Sequence, residues 1–349
     1  MKKTRLPRTI PVLTGLTVAL TVTTAVAAAD TAAASLPVPT ATSLLDSWTD
    51  NAGPRLRPLR STDADGVPDI STDRVPDLLT VEAAKGELAV HEGTGQPGGR
   101  GAFAGSVKVA TMGLERTWLG QGDLNGDGYN DLVSLSSDGT LSLSVHSGIF
   151  AGENTFRPER VIARGWGAAS LVTVADFVGR DTRNPTELDG LADILFRHGT
   201  TIYAYVNQGP DASGNVRFTN LGAILDNAQA VTSMQLADVT GDDFPDFFMT
   251  FTDGSARLLD LFAEQDSTGK SHEKWYVLRP SGVDAADVRI LTDINGDDYP
   301  DLVTRDKTTG ALLACLHNGN WEPASPSTVF DPAHPKVLAT GWAGYRIVA

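Results

Sequence analysis

Twelve aspartates stand at matching places in four nine-residue segments of this chain. The segments are Asp69-Ile-Ser-Thr-Asp-Arg-Val-Pro-Asp77, Asp123-Leu-Asn-Gly-Asp-Gly-Tyr-Asn-Asp131, Asp238-Val-Thr-Gly-Asp-Asp-Phe-Pro-Asp246 and Asp293-Ile-Asn-Gly-Asp-Asp-Tyr-Pro-Asp301. Oxygen-bearing side chains recur at positions one, three, five and nine. They are Asp69, Ser71, Asp73 and Asp77; Asp123, Asn125, Asp127 and Asp131; Asp238, Thr240, Asp242 and Asp246; Asp293, Asn295, Asp297 and Asp301. At position seven the backbone carbonyls of Tyr129, Phe244 and Tyr299 add a further oxygen. A short, tightly curled segment dense in hard oxygen ligands is what Ca2+ requires. The loops are not EF-hands, which need a bidentate Glu at position twelve; Thr80, Ser134, Met249 and Thr304 stand there. The first copy has Ser71 as its third ligand and Arg74 at the turn position, so its site is expected to be the weakest.

Such loops need strands to hold them, and the flanking sequence supplies these in a repeated order. Each ninth-position Asp opens an apolar strand, as in Asp77-Leu-Leu-Thr-Val and Asp131-Leu-Val-Ser-Leu. A hairpin signal follows at Lys85-Gly86, Asp138-Gly139, Asp253-Gly254 or Thr309-Gly310. The next strand ends alike in three copies, at His91-Glu-Gly, His146-Ser-Gly and His317-Asn-Gly. A fifth, degenerate copy begins at Asp176 and closes at Asp189 and Asp193, with Val178 at the third ligand position and a nine-residue insertion, Arg180 to Leu188. The repeat length is thus about 54 residues of four short strands, the signature of a propeller blade.

The fold expected is therefore all-β: a β-propeller of five four-stranded blades, with six or seven as the alternative if residues 40–60 hold more strands. The last segment, Gly341-Trp to Ala349, matches Gly165-Trp to Ala175. It is expected to complete the blade whose loop begins at Asp69, closing the ring by pairing the N- and C-terminal strands.

These loops and strands resemble the FG-GAP or VCBS repeats of integrin-alpha-like propellers, frequent in secreted bacterial proteins, over about residues 61–349. The resemblance implies calcium in the loop between the first two strands of a blade, and adhesive or sugar-binding roles. The chain departs from that pattern in lacking a clear Phe-Gly…Gly-Ala-Pro segment per blade.

Residues 1–29 read as an export signal: Lys2, Lys3, Arg5 and Arg8, an apolar Thr-rich run to Val26, then an Ala-Val-Ala or Ala-Ala-Ala cleavage site. Residues 30–60 form a linker or lead-in. A secreted, extracellular protein is the expectation, with no stable membrane insertion after cleavage. The chain carries 28 basic and 43 acidic side chains and a net charge of −15, which argues against nucleic acid as a partner. One cysteine, Cys315, excludes an intrachain disulfide and sits in an apolar strand as core filler.

Catalytic signals are sparse. The three repeated histidines occupy one place in different blades, too far apart to share one zinc ion. Carboxylate pairs could work as acid and base on sugars, but each conspicuous pair belongs to a calcium loop. No Gly-x-Ser-x-Gly, His-Glu-x-x-His or P-loop occurs. The expected function is a calcium-bound, non-catalytic propeller binding glycan or extracellular protein; the alternatives are a polysaccharide lyase or hydrolase and a purely structural envelope protein. Trp48, Trp118, Trp275, Trp321 and Tyr345 are candidate sugar-stacking rings that more often pack a core, and the Arg180–Leu188 insertion is a candidate contact surface.

Overall fold

In a computed structural model, residues 40–41, 69–98, 101–179, 188–242, 244–265, 271–331 and 334–348 are described. The expected export signal, most of the lead-in, Trp48 and residues 180–187 of the insertion lie outside them. Apolar residues occur in short runs broken by Gly-containing turns, and such runs pair with their sequence neighbours as antiparallel strands. After a two-residue β1 (Thr40–Ala41), the strands group into five sheets.

The first blade has β2 (Leu78–Glu82), β3 (Glu87–Gly93) and β4 (Phe103–Thr111). The second has β5 (Arg116–Gly122), β6 (Asp131–Ser136), β7 (Leu141–Ser144) and β8 (Arg160–Ala163). The third has β9 (Ala169–Ala175), β10 (Asp193–His198), β11 (Thr201–Pro210) and β12 (Val216–Asp226). The fourth has β13 (Val231–Ala237), β14 (Asp246–Phe251), β15 (Ala256–Gln265) and β16 (Ser271–Arg279). The fifth has β17 (Ala286–Thr292), β18 (Asp301–Asp306), β19 (Leu312–Cys315) and β20 (Lys336–Ala339). Finally β21 (Tyr345–Val348) pairs antiparallel with β2, Thr80 opposite Val348, and so becomes the inner strand of blade one. The protein is a five-bladed β-propeller, closed as the terminal sequence match anticipates.

One strand departs from the four-per-blade expectation. Thr40–Ala41 pairs with Asp226–Leu225 on the outer edge of blade three, giving that sheet a fifth strand rather than starting another blade. An outer edge presents unpaired N–H and C=O groups, and a covering strand satisfies some of them.

The core is divided among the seams. Five apolar clusters each join two neighbouring blades, for example Leu79, Val81 and Val90 of blade one with Leu119 and Leu132 of blade two. The second strand of a blade is covered on both faces, so all six residues of β6 and of β14 are buried. Phe247, Phe248 and Phe251 of β14 are under 2% exposed and fill the two seams of blade four. Burying such a side chain is worth about 2–3 kcal/mol. Cys315 belongs to the same packing at 4% exposure, and burial raises its thiol pKa, in keeping with core filler.

Arginines add polar ties across seams. Arg197 donates to the carbonyls of Ala228 and Val231 in blade four at 2.9 and 2.6 Å. Arg305 of blade five reaches the carbonyls of Trp342 and Tyr345 at 3.0 and 2.6 Å while paired with Asp287. The closing strand is thereby held from both sides, since Arg346 donates to the Gly113 carbonyl at 3.1 Å.

Candidate metal loops

Each Asp-rich segment lies between the inner strand of its blade and the next, so five equivalent corners ring one rim of the propeller. The first-position Asp organises the turn by accepting backbone N–H groups. Asp123 Oδ1 takes Gly126 at 2.7 Å and its Oδ2 takes Gly128 at 2.7 Å; Asp293 takes Gly296 at 2.7 Å and Asp298 at 2.8 Å. Asp238 takes Gly241 at 2.6 Å, and Asp69 takes Thr72 and Arg74 at 2.6 and 2.8 Å. The fifth-position Asp then accepts from position seven: Asp73 from Val75, Asp127 from Tyr129, Asp242 from Phe244 and Asp297 from Tyr299.

Curling the loop this tightly drives positions four and six left-handed. Gly126, Gly128, Gly241 and Gly296 do so freely, at φ between +74° and +86°. The first copy has Thr72 and Arg74 there, at φ 66° and 71°. A non-glycine residue in this region costs about 1 kcal/mol or more, which adds a backbone reason to the expectation that loop one is weakest.

The ninth-position Asp is the buried anchor. Asp77, Asp131, Asp193, Asp246 and Asp301 are all 0–1% exposed. Each of four grips the third strand of its own blade: Asp77 accepts from Gly93, Asp131 from His146, Asp193 from Asn207 and Asp301 from His317, at 2.7–3.0 Å. Burial pushes the Asp77 carboxyl up to about 6, Asp131 to about 7 and Asp301 to about 8, helped by the neighbouring loop aspartates. Asp246 and Asp193 are raised well above the usual carboxylate range, chiefly by the same desolvation.

A cation would relieve this, and some of the oxygens it would take stand without hydrogen bonds. Thr240 Oγ1, Asn295 Oδ1 and one oxygen of Asp301 are buried and make none. Two are third-position groups and one is a ninth-position carboxylate, all hard oxygen donors of the kind Ca2+ takes. The residues fit the ion in donor chemistry. As the side chains stand, no three His, Cys, Asp or Glu groups converge to hold a metal among the described residues. Asn125 and Asn295 instead donate to Asp127 and Asp297 at 3.0 and 3.1 Å.

The raised carboxyls give the calcium-free protein a pH dependence with a definite sign. Folded pKa values above the usual 3.8 contribute stability that is complete at low pH and lost as pH rises through about 6, 7 and 8. Lowering the pH from 8 to 6.5 in EDTA is expected to raise the melting temperature, with Asp301 alone worth about 2 kcal/mol. Below 6.5 the buried His91, lowered to about 4, opposes the trend because its neutral form is the one that folds. A melting temperature in EDTA that stays flat or falls from pH 8 to 6.5 would count against uncompensated loop carboxylates.

The degenerate third copy keeps the anchor and loses the loop. Asp193 still accepts from Phe177 and Val178 N–H at 3.1 and 2.9 Å, and Asp176 and Asp189 accept from Gly190 and Leu191. Val178 is 2% exposed and part of the apolar cluster between blades three and four, so the third-ligand place belongs to the core.

The structure corrects one sequence inference about the histidines. His146 and His317 are equivalent, but His91 is not at their position. Strand register pairs Leu78 with His91, whereas the matching Leu132 and Leu302 pair with Ser144 and Cys315. The true counterparts of His146 and His317 are Gly93 and Asn207, two residues past the cross-strand pair. The shared Val-His and Leu-His spelling hides this because the loop-to-His counts differ by one or two residues.

At the true position the side chain is a rivet between blades. His146 Nε2 donates to the Ile70 carbonyl of loop one at 3.1 Å, Asn207 Nδ2 to the Leu124 carbonyl of loop two at 2.8 Å, and His317 Nε2 to the Val239 carbonyl of loop four at 3.0 Å. Nδ1 of each histidine accepts from Gly148 or Gly319 N–H at 3.0 Å, which fixes the Nε2–H tautomer. The seventh-position Tyr of the same blade stacks on each ring, Tyr129 on His146 at 5.3 Å and Tyr299 on His317 at 5.0 Å. Sequence spelling alone gave no sign of Asn207.

Of the candidate sugar-stacking rings, Trp118, Trp275, Trp321 and Tyr345 are half-buried and packed. Trp275 meets Phe251 at 6.3 Å, Trp321 meets Tyr276 at 4.9 Å and Tyr345 meets Trp342 at 5.2 Å, while Trp118 joins the cluster between blades two and three.

Comparison with known proteins bears on the repeat. Residues 123–180, from loop two to the start of the degenerate loop, match the family model of the FG-GAP-like repeat. No curated protein matches the sequence. Solved structures give 33 matching chains, among them an Agrocybe aegerita lectin described by its specific recognition of non-reducing terminal N-acetylglucosamine. It is 18% identical with a TM-score of 0.40, over 79% of this chain and 65% of its own. The chain thus spans about two thirds of that lectin's length, and a likeness at this TM-score carries neither ligand nor site across. The family match over one repeat, set in a closed ring of five blades, supports an FG-GAP repeat propeller.

Proposed function

We propose that this propeller is a secreted, calcium-stapled, non-catalytic binding protein whose ligands are glycans or proteins at the cell exterior. The observation that carries the calcium part is the buried Asp301. It is 0% exposed and has one oxygen without a hydrogen bond, and Oδ1 of Asn295 in the same loop is likewise buried without one. Positions one, three, five and nine of loops one, two, four and five, with the position-seven carbonyls, would hold the ion. Bound Ca2+ would supply positive charge to the carboxylates of each loop, offsetting their repulsion. Export rests on residues 1–29, and an exterior compartment would provide the calcium.

The binding part rests on the FG-GAP repeat and on the placement of the acids. Each loop carboxylate is engaged by its own loop and strand, so the acids serve blade corners rather than one shared cleft. Purified protein in calcium is expected to bind members of a glycan or extracellular-protein array and to release no reducing ends or unsaturated products from polysaccharides. Measured product release would overturn the non-catalytic reading.

A further inference from the structure

Two seams of the ring are built on the same plan and filled differently. Trp166 and Trp342 hold matching places, each donating its backbone N–H to a hairpin glycine carbonyl, Gly139 at 2.9 Å and Gly310 at 3.0 Å. In blade three, Ile194 pairs with Tyr205 and Phe196 with Tyr203; in blade one, Leu78 pairs with His91 and Thr80 with Ala89. His91 therefore stands where blade three has Tyr205, Thr80 where it has Phe196, and Ala89 where it has Tyr203. Between blades two and three, Trp166 packs on Phe196 at 4.3 Å and Tyr205 at 5.4 Å, and Phe196 stacks on Tyr203 at 5.8 Å. At the closing seam Trp342 packs on His91 at 4.5 Å, Tyr345 at 5.2 Å and Phe103 at 5.5 Å, while the small Thr80 and Ala89 stand at the places of Phe196 and Tyr203.

The space left is a groove of two adjoining clefts, about 380 and 400 Å³, that share Ser106. The first is lined by His91, Phe103, Thr340 and Trp342, a set without formal charge at neutral pH, since burial keeps His91 unprotonated. The second opens over Ala89 and Tyr345 and is edged by Glu82, Glu87 and Lys108. Clefts of this size hold small ligands. We propose that this groove across the closing seam binds an unbranched oligosaccharide of neutral sugars, one ring in the aromatic cleft and the next in the polar one.

The chemistry of the lining selects that class. Aromatic rings with a hydroxyl rim suit the apolar face and polar edge of a pyranose. Ser106 and Thr340 offer hydroxyls, and the carboxylates of the second cleft accept from sugar hydroxyls. No arginine lines either cleft and the chain is strongly acidic, so phosphate or sulfate ligands are disfavoured. Two clefts in line accommodate successive units of a chain.

The inference rests on the glycan-binding reading, and the test separates them. Cellotetraose, chitotetraose, laminaritetraose and mannotetraose are titrated calorimetrically into the full chain in calcium, and into Ala89→Tyr and Ser106→Trp. Ala89→Tyr restores the residue that fills this place in blade three, so melting temperature is expected to hold in that variant. At least one tetraose is expected to bind, at least tenfold more weakly to both variants. Binding that both variants retain would overturn the groove and leave the glycan reading standing. Silence of all four, with hits on an array of acidic and branched glycans that Ala89→Tyr keeps, would also overturn the groove alone. Silence on that array as well would overturn both.

Discussion

Removing calcium with EDTA is expected to lower the melting temperature by about 20 °C or more, and added Ca2+ to restore it. A ligand at a hundredfold excess over its Kd stabilises by about 2.7 kcal/mol per site, so four loops together supply on the order of 10 kcal/mol. For a domain of this size each kcal/mol moves the melting temperature by about 2–4 °C. The basis is structural: the buried Asp77, Asp131, Asp246 and Asp301 have carboxyl pKa values raised by burial and by neighbouring aspartates. Calorimetric titration should resolve the first loop as the weak site, because Thr72 and Arg74 hold left-handed conformations there and Ser71 replaces an amide. A melting curve indifferent to EDTA and Ca2+ would refute the staple.

His317→Ala is expected to cost about 3 kcal/mol, read as a melting temperature some 6–12 °C lower. The ring donates to the Val239 carbonyl at 3.0 Å, accepts from Gly319 at 3.0 Å and stacks on Tyr299 at 5.0 Å. Truncation leaves the buried Val239 carbonyl unpaired, at about 1–3 kcal/mol, loses the bond to the more exposed Gly319 N–H, and removes a ring contact worth about 1 kcal/mol. Because the histidine ties loop four to blade five, the same variant should also weaken calcium at loops four and five more than at loop two. An unaltered melting temperature would show that the rivet is dispensable; zinc binding lost on substitution would point to a metal role instead.

The rivets also explain where the array is irregular. They cross three seams, from blade two to one, three to two and five to four. In blade four the register puts Leu261 at the rivet position, facing the degenerate loop of blade three. An apolar residue there suits a seam where Phe177 meets Phe247 edge to face at 5.3 Å. In blade one the position is Gly93, whose missing Cβ would meet the Pro76 carbonyl at 2.0 Å, so no side chain fits. That seam is tied instead by Arg305, on the carbonyls of Trp342 and Tyr345.

The chain's own spelling determined the repeat, and with it the architecture. Nine-residue loops at a 54-residue spacing, each followed by an apolar strand and a Gly hairpin, leave few ways to pair strands except blade by blade. The match of Gly341-Trp to Gly165-Trp marked β21 as an inner strand, and its pairing with β2 sets it in blade one. Loop chemistry was equally local: ligand positions one, three, five and nine depend only on residue type and spacing. Tertiary structure alone decided what joins one blade to the next. His91, His146 and His317 read alike in sequence, yet a two-residue shift in register turns two into rivets and leaves the third packed against Trp342. Asn207 shares their role without sharing their name. The groove at the closing seam was invisible for the same reason. It opens over Ala89, which stands where another blade has Tyr203, and only strand pairing says which residues face the same seam.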